Sequence, residues 1–187
     1  MKGFTPKITL EDLERLQKEC DERQKRNIEL SKLEKEYRKL IKQNKLHLKL
    51  NWQNKISEID TKYLFSKVTL PDFQDFDNNF CVQYLDIDRI LNFHCNGEKS
   101  ANKIYPKDKL WSTSHRNNSN MAQLIEYIKG GNKLCPPIID YGPNQCSDSD
   151  VFCFFDGNHR VALCRFLNIK KIPFIVRKLN LEKIKNI

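Results

Sequence analysis

A long charged stretch with regularly spaced apolar residues opens the chain. Between about Thr9 and Asn44 there is no glycine or proline, and Glu, Lys, Arg, Gln and Leu are frequent. Apolar residues recur there at roughly heptad spacing, with a gap in the middle: Leu13, Leu16, Cys20, Leu30, Leu33, Tyr37 and Leu40. Thr9 followed by Asp12 predicts a capping box at the start. The pattern predicts one long helix, which either pairs with a second copy as a coiled coil or lies on its own domain.

The pattern changes after this helix. Residues 46–52 alternate between apolar and polar, which is typical of a strand, and the run PDFQDFDNN that begins at Pro71 predicts a loop. We therefore expect a helical, coiled-coil-like extension over residues 1–50, a linker with accessory elements over 51–79, and a folded domain over 80–187.

Apolar runs and turn residues predict strands and helices in that last domain. In chain order these are a strand at 80–90, a helix that is capped by Ser119 or Asn120 and ended by Gly130-Gly131, a strand to about Tyr141, a strand at 151–155, a helix at about 159–167 and a strand at 172–176. We expect the last two strands to run parallel, with the helix as their crossover. The predicted fold class is α+β.

Composition limits the class of protein. Hydrophobic residues make up 39% of the 187 residues, which is enough for a core, and no apolar run approaches the ~20 residues that span a bilayer. We expect a soluble, cytoplasmic protein without membrane contact.

The seven cysteines include no Cys-x-x-Cys pair, and His94-Cys95 with Cys146 lacks a second pair at ligand spacing. This favours reduced cysteines over a disulfide framework or a zinc site.

The net charge of +9 is unevenly distributed. Residues 53–98 carry four basic and eight acidic side chains, whereas seven basic residues and one acidic residue follow from Arg165 onward. A basic carboxyl-terminal part favours a nucleotide or a nucleic acid as partner. The alternative is a lysine-rich surface that is simply solvated.

The strongest candidate site follows the predicted strand at 151–155. Asp156 and Gly157 form a turn, and Gly157 lets a ligand approach without meeting a Cβ. The next three residues, Asn158, His159 and Arg160, occupy the first helical turn, where amide groups and the helix dipole favour an anion such as phosphate. The alternative gives these residues only local structural roles as turn former, cap and surface positions.

The segment DGNHRVALCRFLNIKKIPFIV resembles the final motif of the ParB/sulfiredoxin superfamily, where a strand, a Gly-x-x-Arg or Asp-Gly-x-His-Arg loop, a helix and a strand follow one another. Upstream, LDIDRI resembles the opening strand of that fold, HRNNSNMAQLIEYIKGG its next helix, and PPIIDYG the strand before the motif. The resemblance covers about Phe80 to Lys178. It implies a small mixed sheet with flanking helices, preceded in this chain by the long amino-terminal helix.

Members of this superfamily differ in their chemistry. Sulfiredoxins have a catalytic cysteine where this chain has Asn158, so sulfinic acid reduction is not expected. Partition ParB proteins bind and hydrolyse CTP through a Gly-Glu-Arg-Arg box and read DNA with a later helix-turn-helix domain, which we do not expect here. Free-serine kinases carry Asp-Gly-His-His-Arg and transfer phosphate from a nucleotide, and Asp-Gly-Asn-His-Arg is closest to this pattern. Other members are described as nucleases.

The resemblance also implies ligands and residue roles. The cofactors would be a nucleoside triphosphate, ATP or CTP, and Mg²⁺. The phosphates would be held by Gly157, Asn158, His159, Arg160 and Arg116. The implied catalytic residues are Asp156, His159 and Asp88, the implied metal ligands are Asp156 and Asp86, and the nearest match to the kinases' base is Glu98.

Three hypotheses follow from the sequence. The first is a nucleotide-binding protein with phosphotransferase, NTPase or nuclease activity. The second is a non-catalytic, DNA-associated or oligomeric interaction protein, in which nucleotide at most switches a homo-oligomer formed through the amino-terminal helix. The third is a structural protein in which the motif is a relic.

Overall fold

The protein is described here from a computed structural model that covers residues 9–61, 75–95, 97, 105–111, 115–144 and 147–186, without the side chains of 115–117, 143–144 and 147–149. Contacts divide the chain into two units, Met1–His47 and Leu48–Ile187. Among the helices in the described ranges, none combines the length and apolar character needed to cross a bilayer.

The first unit is built on one helix, α1 (Leu10–Lys42). Thr9 caps it: the hydroxyl of Thr9 accepts from the backbone N–H of Asp12, and the Asp12 carboxylate accepts from the backbone N–H of Thr9. These reciprocal bonds satisfy two amides that the helix itself cannot pair. The predicted long helix and its capping box are both confirmed.

The second unit is centred on a four-stranded sheet with the order β2-β6-β4-β5. Its strands are β2 (Phe80–Asp86), β4 (Ile138–Asn144), β5 (Ser147–Asp156) and β6 (Lys171–Arg177). The outer pairs, β2 with β6 and β4 with β5, are antiparallel, whereas the central pair of β4 and β6 is parallel. The fold is therefore helical and mixed-sheet, with a long amino-terminal helix, as predicted at that level.

The predicted parallel pairing of the last two strands is wrong. The strand β4 lies between β5 and β6, and it is antiparallel to β5 but parallel to β6. The strands β5 and β6 consequently run in opposite directions, and the helix between them, α5 (Asn158–Phe166), is not a parallel crossover. An apolar run indicates that a strand is buried, but it specifies neither the partner nor the direction.

Helices and short helical turns connect and cover these strands. They are the turn Ile56–Glu58, α2 (Phe76–Asn79), α3 (Ile87–Asn92), α4 (His115–Lys129), α5, the turn Lys178–Asn180 and α6 (Leu181–Lys185). The strand predicted to reach residue 90 ends at Asp86, because the Asp86 carboxylate accepts from the backbone N–H of Arg89 and caps α3.

The central strand β6 is covered on both faces. Phe174 and Val176 belong to one apolar cluster, which includes Phe152 and Val161, whereas the intervening Ile175 belongs to another. Successive side chains of a strand point to opposite faces, so two apolar layers enclose the sheet. Burying each large apolar side chain contributes roughly 1.5–3 kcal/mol, so these two layers stabilise the sheet.

A two-stranded parallel sheet adds the segment after α1 to this unit. It pairs β1 (Asn51–Trp52) with β3 (Lys133–Leu134). The strand predicted over residues 46–52 is thus confirmed only at its last two residues. The pairing brings residues 51–60 beside the chain that enters β4.

Candidate functional site

A cavity of about 560 Å³ opens at the amino end of α5. Four parts of the second unit form its walls: the segment after β1, one face of α4, the strand β3 with the residue after it, and the junction of β5 with α5. The lining residues are Gln53, Asp60, Asn120, Gln123, Leu124, Tyr127, Lys133, Leu134, Cys135, Asp156, Gly157, His159 and Arg160. Four of the predicted site residues, Asp156, Gly157, His159 and Arg160, are therefore brought together.

Gly157 is the N-cap of α5 and has a left-handed backbone, with φ of +96°. A Cβ on Gly157 would lie 2.6 Å from the Cβ and 2.7 Å from the Cα of Pro137. Both observations require glycine, and the second shows that the space beside its α-carbon is filled by Pro137. Glycine also provides no capping side chain, so no N-cap side chain occupies the first-turn amides of α5.

Arg160 connects the helix to both neighbouring segments. One terminal nitrogen donates to the carboxylate of Asp156 at 2.5 Å, and the other donates to the backbone carbonyl of Cys135 at 2.7 Å. The two side chains are largely buried, at 13% exposed for Arg160 and 26% for Asp156. Arg160 has five N–H donors, so these bonds hold the guanidinium at the cavity wall and leave donors for a ligand oxygen.

Asn158 is directed elsewhere. Its side-chain carbonyl accepts from the hydroxyl of Tyr105 at 2.7 Å. Burial, with a smaller contribution from Cys95, raises the pKa of Tyr105 well above its usual value, so this hydroxyl keeps its proton and remains a donor. The backbone of Asn158 stays in the first turn of α5, but its side chain is not part of the cavity wall.

Asp86 and Asp88 lie at the edge of the sheet opposite to Asp156. The strand β2, which ends at Asp86, and the strand β5, which ends at Asp156, are the two edges of the four-stranded sheet. Three strand spacings separate these edges, which amounts to about 14 Å. The structure therefore does not bring Asp86 and Asp88 together with Asp156.

Both of these carboxylates have structural partners. Asp86 caps α3, and Asp88 accepts from Lys107 at 2.8 Å and from Arg165 at 3.2 Å. The hydrogen bond from Lys107, supported by the charges of Lys107 and Arg165, lowers the pKa of Asp88 against a smaller opposing effect of desolvation. Arg165 also donates to the carbonyl of Tyr105. Asp88 thus anchors the carboxyl end of α5, away from the cavity.

Three other predictions fall on parts that are not described. Glu98 and Cys146 lie outside the described residues, and so does the side chain of Arg116, although its backbone is the second residue of α4.

Several lining residues were not predicted from the sequence. Asn120, Gln123 and Tyr127 are spaced three and four apart and share one face of α4, a polar pattern that the sequence does contain. Gln53 and Asp60 reach the cavity through long-range contacts of their segment, because β1 pairs with β3 and Ile59 packs in one cluster with Phe80 and Ile138. Local sequence carries no sign of those contacts.

Cys135 reports on the electrostatics of the cavity. Burial raises the pKa of its thiol most strongly, Arg160 opposes this, and the negative charges of Asp156 and Asp60 raise it further. Both carboxylates therefore act on the same thiol.

Among the described residues there is no group of three or more His, Cys, Asp or Glu side chains arranged to hold a metal ion. Two carboxylates are nevertheless the usual protein contribution where Mg²⁺ is bound mainly through ligand phosphates.

No protein-family model, curated protein or solved structure was found to match this chain. The resemblance to the ParB/sulfiredoxin superfamily therefore stays a prediction from the residues quoted above, and the function has to be argued from the cavity.

Proposed function

We propose that the cavity at the amino end of α5 binds the phosphate groups of a nucleotide. The observation that carries this proposal is that a roomy cavity meets a glycine-capped helix start beside His159 and Arg160. Amides at a helix start favour an anion by about 0.3–1 kcal/mol, and a charge-assisted bond from an arginine adds roughly 1.5–3 kcal/mol.

The remaining walls suit the rest of a nucleotide. Amide side chains from Gln53, Asn120 and Gln123 can donate to and accept from a base or a ribose, and Leu124 and Leu134 provide apolar surface. The volume of about 560 Å³ lies within the usual range of about 300–1,000 Å³ for small-molecule sites. ATP and CTP are the nucleotides that the predicted ParB-like fold suggests.

A reaction at this site would be phosphoryl transfer, NTP hydrolysis or nuclease cleavage. Asp60 and Asp156 would hold Mg²⁺ together with the ligand phosphates, and the ion would neutralise charge on the phosphates. His159 and Asp156 remain the proposed catalytic residues. Asp86 and Asp88 have no part in this proposal, because they lie at the opposite edge of the sheet.

One observation favours a second candidate, a non-catalytic interaction protein that assembles through α1. Leu10, Leu13, Leu16 and Ile28 are all at least half exposed on this helix. An apolar strip along a long helix is the usual surface of a coiled coil. In this case nucleotide would act as a switch of assembly rather than as a substrate.

Calorimetric titration with inorganic phosphate, ATP and CTP, with and without Mg²⁺, tests the proposed site. His159→Ala and Arg160→Lys should each weaken the affinity for a triphosphate about tenfold or more, because each removes a phosphate contact or its bidentate geometry. Arg165→Lys is the matched control, since Arg165 lies on the same helix but pairs with Asp88.

The control should bind as tightly as the unchanged protein. Equal affinity in all four proteins, or no binding of any of these ligands, would refute the proposed site. Released phosphate, a phosphorylated product or nicked DNA would separate catalysis from the non-catalytic alternative.

A further inference from the structure

Cys95 and Cys153 lie opposite each other where the chain after α3 meets β5. An isolated parallel bridge pairs His94 with Phe152. The backbone N–H of Cys95 donates to the Phe152 carbonyl at 2.8 Å, and the N–H of Phe152 donates to the Phe93 carbonyl at 2.6 Å. The next pair in this register is Cys95 with Cys153. Residues on adjacent strands lie about 5 Å apart, inside the span of about 4.4–6.8 Å between the α-carbons of a disulfide.

The two side chains also meet. Residues opposite each other in a parallel bridge project to the same face, and the side chain of Cys95 acts directly on the thiol of Cys153. Both cysteines are half-buried, so a small reagent can reach them. Their sulfur atoms, and not only their backbones, are therefore adjacent.

We propose that Cys95 and Cys153 form a reversible intramolecular disulfide when the protein meets a low-molecular-weight disulfide such as oxidised glutathione. One cysteine thiolate attacks a sulfur of the oxidant, which forms a mixed disulfide and releases one glutathione thiolate. The second cysteine thiolate then attacks the protein sulfur and releases the second glutathione. The two protein thiols together lose two protons and two electrons, and the oxidant is reduced to two glutathione molecules.

The surroundings set the pH dependence of this reaction. Burial, followed by the hydrogen bond and charge of Cys95, raises the pKa of Cys153 to about 11. Because the thiolate is the attacking species, the disulfide should form slowly near neutral pH and faster as the pH rises. The bond would tie the end of α3 to β5, the strand that carries Asp156 into the cavity.

Peptide mapping of the oxidised full-length chain tests this proposal. The Cys20→Ser background removes the exposed thiol on α1 and with it a source of intermolecular bonds. After incubation with oxidised glutathione under native conditions, alkylation and digestion without reductant, we expect a linked peptide containing Cys95 and Cys153 that is lighter by two hydrogen atoms. Dithiothreitol should reverse the link. The oxidised protein should melt about 5–15 °C higher, since the bond closes a long loop.

Substitutions provide the controls. Cys153→Ser should abolish the link, whereas Cys81→Ser, which alters another half-buried cysteine of the same sheet, should retain it. The proposal is overturned if the folded protein yields no Cys95–Cys153 peptide. It is equally overturned if the link forms only in denaturant, or if oxidation stops at a mixed disulfide with glutathione.

Discussion

Gly157 faces Pro137 so closely that a Cβ on the glycine would lie 2.6 Å from the Cβ of the proline. Pro137 precedes β4, and its carbonyl accepts from the backbone N–H of Ile175 in β6 at 2.8 Å. The glycine therefore sets the start of α5 directly against the central strands of the sheet. The position of the cavity depends on this contact.

Gly157→Ala should accordingly lower the free energy of unfolding by about 2–4 kcal/mol, from the left-handed backbone and the overlap with Pro137 together. Gly131→Ala is a matched control, because Gly131 has φ of +77° and open space around its α-carbon. It should cost only about 1 kcal/mol. Urea denaturation measures both values, and an equal loss in the two variants would contradict the proposed overlap.

The Asp156–Arg160 pair should contribute to stability as well as to binding. Removing either partner leaves a largely buried charge or carbonyl without its bond, so Asp156→Ala and Arg160→Ala should each cost about 1–3 kcal/mol. The double variant should cost less than the sum of the two.

The exposed pair Asp12–Arg15 on α1, at 40% and 68% side-chain exposure, is the comparison for this cycle. Its coupling should be clearly smaller than that of the Asp156–Arg160 pair, because exposed ion pairs are screened by water. A coupling of the same size in both cycles would show that burial does not strengthen the Asp156–Arg160 pair.

Local patterns were sufficient to predict several elements, although α4 begins at His115, before its predicted caps Ser119 and Asn120. The capping box at Thr9 and Asp12, the helix end at Gly130-Gly131 and the helix α5 all depend on short-range spacing, and the structure has them where the sequence indicates. The strand order could not be predicted in this way. An apolar run such as that of β6 is buried on both faces whichever strand lies beside it.

The candidate site, too, could be predicted where it depends on neighbouring residues and not where it depends on strand order. Asp156, Gly157, His159 and Arg160 are contiguous, so their meeting at one turn could be predicted from the sequence. Asp86 and Asp88 end a strand as Asp156 does, but their strand is at the other edge of the sheet, and adjacency of strands is a long-range property. Asp60 was missed for the same reason, because its segment is placed by long-range contacts: the pairing of β1 with β3 and the packing of Ile59 in one cluster with Ile138.

His94 should make stability fall on acidification. It is 5% exposed, and desolvation lowers its pKa below the usual 6.5. The unfolded chain therefore binds this proton more tightly than the folded one, so the contribution is present above about pH 6.5 and is lost as the pH falls towards the folded pKa. Within that window the loss can reach about 1.4 kcal/mol per pH unit.

His94→Gln removes this titration, and unfolding free energies between pH 8 and pH 5 should then depend less on pH than in the unchanged protein. His47→Gln, at an exposed position of the first unit, is the control for the same exchange elsewhere in the chain. Identical profiles in all three proteins would mean that protonation of His94 does not oppose folding.

The apolar strip on α1 predicts self-association. Leu13 and Leu16 are 53% and 50% exposed and occupy successive core positions of the predicted heptad. Exchanging both for glutamine retains the helix propensity while removing the apolar surface, so the double variant should shift the oligomer to monomer in light scattering after size exclusion. Leu179→Gln, at a position that is 71% exposed in the turn before α6, should leave the mass unchanged.

If the unchanged protein is already monomeric at high micromolar concentration, α1 is not an assembly helix. Nucleotide affinity should be the same in all these variants, because every lining residue of the cavity belongs to the second unit.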